Sequence, residues 1–177
     1  MDINVVPIHL SNSGLLDDIL EVLSQKFSSP VNLIELEINI ESAFSIERKQ
    51  FFSTQLLADA INISGNIEGK VVLLTEFDLY VPALTFVFGE AQLNGNYSIV
   101  SLCRLHEEFY SGISNQKLLL ERAIKEILHE LGHNFGLKHC LNWDCVMHAS
   151  LSIEEVDIKG NHYCKACAGS IEGYKII

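Results

Sequence analysis

Apolar positions along the chain change period several times, and each change predicts an element. Residues 3–8 are nearly all apolar and read as a strand. Over residues 15–27, Leu15, Leu16, Ile19, Leu20, Leu23 and Phe27 recur at helical spacing, and Ser28-Ser29-Pro30 stops the pattern. Residues 31–38 partly alternate. Leu33, Glu35 and Glu37 fall on one face and Ile34, Leu36 and Ile38 on the other, which predicts a strand. A second helix is predicted over 48–61, leaving through Ser64-Gly65-Asn66. Strands follow at 70–75, 85–89 and 97–102, the first of them apolar enough to be buried on both faces. A long helix closes the series over 114–135, with Ser114 able to cap its start. Its stripe is Leu120, Ile124, Ile127 and Leu131, widened by Leu128. Glu121 with Lys125, and Arg122 with Glu126, stand four apart on this helix and are expected to pair. The order β-α-β-α-β-β-β-α predicts an α+β fold with a twisted mixed sheet and packed helices. Residues 1–177 are expected to form one domain: a sheet-and-helix part over 1–113, the long helix and its exit over 114–139, and a cysteine-bearing part over 140–177.

The end of the long helix carries the chemistry. Residues 129–139 read HELGHNFGLKH, the pattern HExxHxxGxxH. Residues four apart on a helix share a face, so His129 and His133 can reach one metal ion through ring nitrogens. Glu130 lies one step round from His129, placed to handle a water without binding the metal. Gly136 can take a left-handed backbone, ending the helix and turning the chain so that His139 comes in as a third ligand. Three protein ligands leave a fourth position open, which is what a catalytic zinc requires and a structural one does not.

Cysteines follow at once. Cys140, Cys145, Cys164 and Cys167 form C-x4-C and C-x2-C pairs across a gap of 18 residues, the spacing of a four-thiolate structural zinc site. Two disulfides are the competing pairing, and the lack of a secretion signal weighs against them. His148 and His162 lie nearby and could each replace a thiolate, although four thiolates already complete a tetrahedron. Cys103 has no partner in sequence and reads as a small buried hydrophobe. Met147, two residues after Cys145, suggests a Met-turn, an apolar floor beneath the histidines.

Both motifs together resemble the archaemetzincins, a group of metzincin-like zinc metallopeptidases. The match is specific over residues 129–167. Residues 75–82 (TEFDLYVP) and 86–91 (FVFGEA) are similar to the family as well. The stretch between Met147 and Cys164 is one residue shorter than the family's spacing, a change confined to the loop. The resemblance implies a catalytic zinc on His129, His133 and His139, with Glu130 as general base and acid. It implies a second, structural zinc on Cys140, Cys145, Cys164 and Cys167, and hydrolysis of peptide bonds in a peptide or protein substrate. It also implies that the substrate lies as an added strand along residues 85–91. Four tyrosines, Tyr80, Tyr97, Tyr110 and Tyr163, are candidates to stabilise an oxyanion, and the sequence selects none of them.

Composition narrows the setting. Hydrophobic residues make up 48% and charged residues 20%, an ordinary globular balance, and no run is apolar enough for a membrane span. The first residues lack a signal peptide, so reduced thiols and a cytoplasmic location are expected. A net charge of −11 disfavours nucleic acid as a partner. A monomeric zinc peptidase of narrow specificity is the expected function, with cutting at amino termini, as an aminopeptidase does, as its narrower form. The alternative is a latent or non-enzymatic zinc protein that binds peptides or other partners, which the intact Glu130 disfavours.

Overall fold

The computed structural model describes every residue except Asn66, Glu172, Ile176 and Ile177, so the exit expected through Asn66 lies outside the described residues. In chain order the elements are β1 (Ile3–Ile8), α1 (Ser13–Lys26), β2 (Val31–Leu33), β3 (Phe44–Ser45), β4 (Gln50–Phe52), α2 (Ser53–Ser64), β5 (Lys70–Thr75), β6 (Leu79–Tyr80), β7 (Gly89–Ala91), β8 (Tyr97–Ser101), α3 (Glu108–Ser111), α4 (Gln116–Asn134), α5 (Ile153–Ile158) and α6 (Lys165–Ala168). Short 3₁₀ turns stand at Glu41–Ala43 and Cys103–Leu105.

Five strands form one sheet in the order β2-β1-β5-β8-β7. The first four run parallel, and β7 joins β8 antiparallel as an edge. Strand alternation sends side chains to two cores. Ile3, Val5, Val72, Leu74 and Val100 pack on one face with Leu16, Ile19 and Leu23 of α1 and Ile124, Ile127 and Leu131 of α4. Val6, Ile8, Val71, Leu73 and Ile99 pack on the other with Leu56, Leu57 and Ala60 of α2. Each such aliphatic side chain contributes about 1.5–3 kcal/mol on burial, which is why the unbroken apolar run of β5 takes the sheet centre. The mixed α+β architecture expected from the patterning is therefore present. A second, small sheet, β3-β4-β6, lies beside it.

Several elements differ from the sequence-based expectation. The strand expected over 31–38 forms a ladder only through Leu33. Beyond it, Ile34, Leu36, Ile38 and Ile40 still pack against the second core. Alternation records a half-buried face there rather than a hydrogen-bonded ladder. The helix expected from residue 48 starts at Ser53, because Lys49 has a left-handed backbone (φ 56°) and Phe51 and Phe52 pair with β6. The long helix is capped by Asn115, whose Oδ1 accepts from Leu118 N at 3.1 Å, and not by Ser114. Residues 140–167 are not a plain loop, since α5 and the start of α6 fall within them.

The expected pairs on α4 give way to other partners, most of them deeper. Lys125 donates to Val156 O and Asp157 O, and Glu121 faces Lys117 at 4.0 Å. Arg122, with a side chain only 3% exposed, makes a two-pronged bond to Asp157 (2.7 Å each) and further bonds to Glu107 and to Leu105 O. This arginine ties α5 and the β8–α4 connection to the helix that carries the histidines. Arg122→Met should strand Leu105 O and two carboxylates, costing about 3 kcal/mol in a urea titration. A loss below about 0.5 kcal/mol would show the network to be dispensable.

Candidate active site

Helix α4 delivers His129, Glu130 and His133, and Gly136 (φ 87°) reverses the chain behind them. Gly136 N donates to His133 O and Leu137 N to Gly132 O, closing the helix so that His139 swings back over it. One ligand atom from each of the three histidines lies within 4.8 Å of the others. His129 Nδ1 is 2.8 Å from Val146 O, and His133 Nδ1 is 2.8 Å from Leu137 O. A carbonyl only accepts, so both Nδ1 atoms carry the proton and both Nε2 lone pairs are free. Those two Nε2 atoms stand 3.2 Å apart. Two nitrogens bound tetrahedrally to one zinc would be about 3.3 Å apart, given Zn–N bonds near 2.05 Å. Burial favours the neutral, metal-binding form of the imidazoles: His129 is pushed well below its ordinary pKa, with Lys159 adding to the effect, and His133 and the more exposed His139 are lowered too.

Glu130 is 5% exposed, and burial first, then the neighbouring Glu126, holds its carboxyl well above the usual range. Gly89 of β7 sits directly over it. A Cβ at position 89 would come within 2.6 Å of Glu130 Oε1 and 2.7 Å of its Cγ. On the other side of the helix, Met147 is fully buried beneath Gly132, where any added Cβ would meet its Sδ at 2.2 Å.

The cleft has a volume of about 900 Å³ and is lined by residues 84–91, by Glu126, His129, Glu130 and His133 of α4, and by residues 149–151. The strand expected over 85–89 is shorter and shifted. Only Gly89–Ala91 pairs, with β8, while Val87 bonds back to Leu79 of the small sheet. The chain crosses between the two sheets at this point, which interrupts the ladder, yet residues 85–91 all line the cleft. None of the four candidate tyrosines lines it. Tyr163 donates to Leu128 O, Tyr110 to Arg104 O, and the Tyr97 hydroxyl meets Ser64 Oγ. Tyr80 lies under Arg48, 4.4 Å from its ring centre.

A clamp that sequence reasoning missed fixes the edge strand to α4. Asn94 N donates to His133 O, and Asn134 Nδ2 donates to Gln92 O and Tyr97 O. Lys70 Nζ donates to Asn134 O and Gly95 O. Asn134 lies inside the histidine motif, and a polar residue on the apolar side of a helix is the signal that could have found it.

Cys140, Cys145, Cys164 and Cys167 also converge, their sulfurs all within 4.8 Å of one another. Cys140 Sγ and Cys164 Sγ are 4.0 Å apart, twice a disulfide bond and close to the ~3.8 Å edge of a zinc–tetrathiolate. Cys164 N donates to Cys145 Sγ, and hydrogen bonding led by the Cys167 backbone pulls the Cys164 thiol down to about 7. His148 and His162 stay outside this group: His148 stacks on Trp143 with Nδ1 3.0 Å from Cys140 O, and His162 is exposed. Cys103 is half-buried rather than buried, because it opens a surface 3₁₀ turn.

Comparison with known proteins gives this arrangement a class. Residues 5–173 match peptidase family M54. The chain is 41% identical over 159 residues to an archaemetzincin of Methanocaldococcus jannaschii, covering 88% of this chain and 87% of that one. Its fold superposes on archaemetzincin from Archaeoglobus fulgidus, crystallised with malonate, with a TM-score of 0.82 at 32% identity over 97% of this chain and all of the other. A zinc-dependent peptidase from Methanocorpusculum labreanum gives 0.82 at 29% identity, over 95% of this chain and 98% of that one. The protein is thus a zinc metallopeptidase, a hydrolase acting on peptides or proteins. Within that class it belongs to peptidase family M54, as the resemblance in its motifs implies.

Proposed function

We propose that His129, His133 and His139 hold the zinc at which peptide bonds are cut, and that Glu130 is the general base and then the general acid. The observation that carries this is the 3.2 Å approach of two Nε2 atoms whose Nδ1 partners are both pinned to carbonyls. A zinc there would polarise a carbonyl and make water a nucleophile near neutral pH. The protein's own groups do the rest. Glu130 takes a proton from the attacking water and returns it to the departing amine. Strand β7, with a free edge, hydrogen-bonds an extended substrate along the cleft. Met147 supports the helix from below. The four cysteines hold a second zinc that clips residues 140–167 in place. In this reading residues 1–177 act as one cytoplasmic, monomeric unit with reduced cysteines and no nucleic-acid partner, in keeping with the net charge of −11. No described helix is long and apolar enough to cross a membrane.

The test is elemental analysis of wild type and His133→Ala, beside cleavage of a peptide library by wild type. Two zincs per chain falling to one, with cleavage by wild type, is expected. One zinc in both proteins would overturn the histidine site. Aminopeptidase action, the narrower form of the proposal, is read from the same library: acetylating the peptides abolishes it and leaves endopeptidase action intact.

A further inference from the structure

The cleft has a polar recess that the reaction proposed above does not use. Glu126 stands one turn before Glu130 on α4 and lines the cleft, yet it is only 3% exposed. Its Oε1 lies 2.7 Å from Lys159 Nζ, with the two side chains 4% and 0% exposed. The contact is an ion pair without hydrogen-bond alignment, and both atoms are buried with no hydrogen-bond partner. Ser150 Oγ, in the part of the cleft lining that follows Met147, is likewise buried and unpartnered. Four side-chain atoms among the described residues are in this condition; two of them belong to cleft-lining residues, Glu126 and Ser150, and a third, Lys159 Nζ, lies against Glu126. Such atoms are rare in folded proteins, and their clustering beside a catalytic group points to a ligand that completes them. A purely structural role explains them poorly, since an apolar pair of similar volume would hold α4 to the end of α5 at lower cost.

We propose that Glu126 and Ser150 form a specificity subsite that takes a neutral, hydrogen-bonding side chain of the substrate, glutamine or asparagine, next to the scissile bond. The subsite rests on the peptidase reading for its position beside the bond that is cut. Lys159 is a positioning residue: it lies behind Glu126, cancels its charge and fixes its carboxylate. Charge balance decides the ligand. A lysine, arginine, aspartate or glutamate side chain entering the recess would add a net charge beside a carboxylate and an ammonium that already cancel each other. An apolar side chain would leave the carboxylate oxygen and the hydroxyl without a hydrogen bond, the situation that polar sites reject most strongly. A primary amide satisfies both, donating N–H to Glu126 and sharing a hydrogen bond with Ser150.

Two measurements on one peptide series test this. The peptides are identical except that glutamine, asparagine, leucine, lysine or glutamate stands on either side of the scissile bond. Wild type is expected to cleave the amide-bearing peptides at least about tenfold better in kcat/KM than the leucine ones, with the charged peptides no better than leucine. Calorimetric binding of the same peptides to the Glu130→Gln protein should give the same order. The double variant Glu126→Leu/Lys159→Met removes both charges together, leaving no lone buried ion, and is expected to reverse the preference towards leucine. Ser150→Ala, a smaller change, should narrow it in a protein certain to fold if the double variant does not. Cleavage or binding of leucine peptides as good as amide peptides by wild type, binding of none of them, or an unchanged preference in Ser150→Ala and the double variant, would overturn the subsite. Absence of cleavage with the binding order intact would overturn the catalytic reading and support the subsite.

Discussion

Glu130→Gln is expected to lower kcat about a thousandfold while the zinc content stays that of wild type, because the amide keeps the shape of the carboxylate but cannot take a proton. The surroundings sharpen the expectation. Glu130 is held from above by the backbone of β7 at Gly89, where a Cβ would fall 2.6 Å from Oε1 and 2.8 Å from Ile99 O. The Ile99 carbonyl belongs to the sheet and cannot retreat, so a side chain at 89 must push the glutamate. Gly89→Val should therefore reproduce much of the loss, roughly a hundredfold in kcat, by misplacing a carboxylate that is itself intact. Its zinc content should be unchanged, since His129 and His133 are held by Val146 O and Leu137 O, and neither histidine is among the nearest atoms a Cβ at 89 would meet. Steady-state kinetics with elemental analysis checks both variants. A Glu130→Gln protein retaining more than a tenth of wild-type kcat would sink the role given to Glu130. Gly89→Val with full kcat would show that the strand does not position it.

The legible parts of this chain were those where one local pattern decides the outcome. Helical spacing in α1 and α4 and the unbroken apolar run of β5 gave elements close to those observed, because burial of a stripe or of a whole strand overrides local preference. The convergence of three histidines and of four cysteines follows from spacing plus one glycine turn, both written in short stretches of sequence. What escaped depends on partners far along the chain. Residues 85–91 look like a strand in isolation, but Val87 bonds to Leu79 and Gly89 to β8, and only tertiary structure divides them. Arg122 and Glu126 stand at ideal pairing distance on a helix surface, yet both are buried. Their true partners, Asp157 and Lys159, are 35 and 33 residues away, on or just beyond a short helix that gives little sequence signal. Lys70, Asn94 and Asn134 show the same limit: each is an ordinary polar residue until the fold brings the α4 terminus against the β7–β8 turn.

Cys145→Ala is expected to weaken both metal sites, not one. Cys145 is fully buried and accepts from Cys164 N. Removing one thiolate leaves three sulfurs, which bind zinc far more weakly, and zinc bound by four thiolates carries on the order of 10 kcal/mol that couples to folding. The segment so released is the one that holds the histidines in place. Val146, next to Cys145, supplies the carbonyl that orients His129, and it is itself anchored through its N–H to His162 O. Cys140, next to His139, donates its N–H to Met147 O. Both contacts span the cysteine loop, so loosening it frees His129 to turn and His139 to leave. The expected result is loss of one zinc per chain, removal of the other by a chelator at markedly lower concentration than in wild type, and faster proteolysis within residues 140–167 while the sheet stays protected. A variant that loses one zinc and keeps wild-type chelator resistance at the other would show that the two sites stand independently. In that case Arg122, Lys125 and Lys159, which tie α5 to α4, would be the contacts that hold the histidine site together.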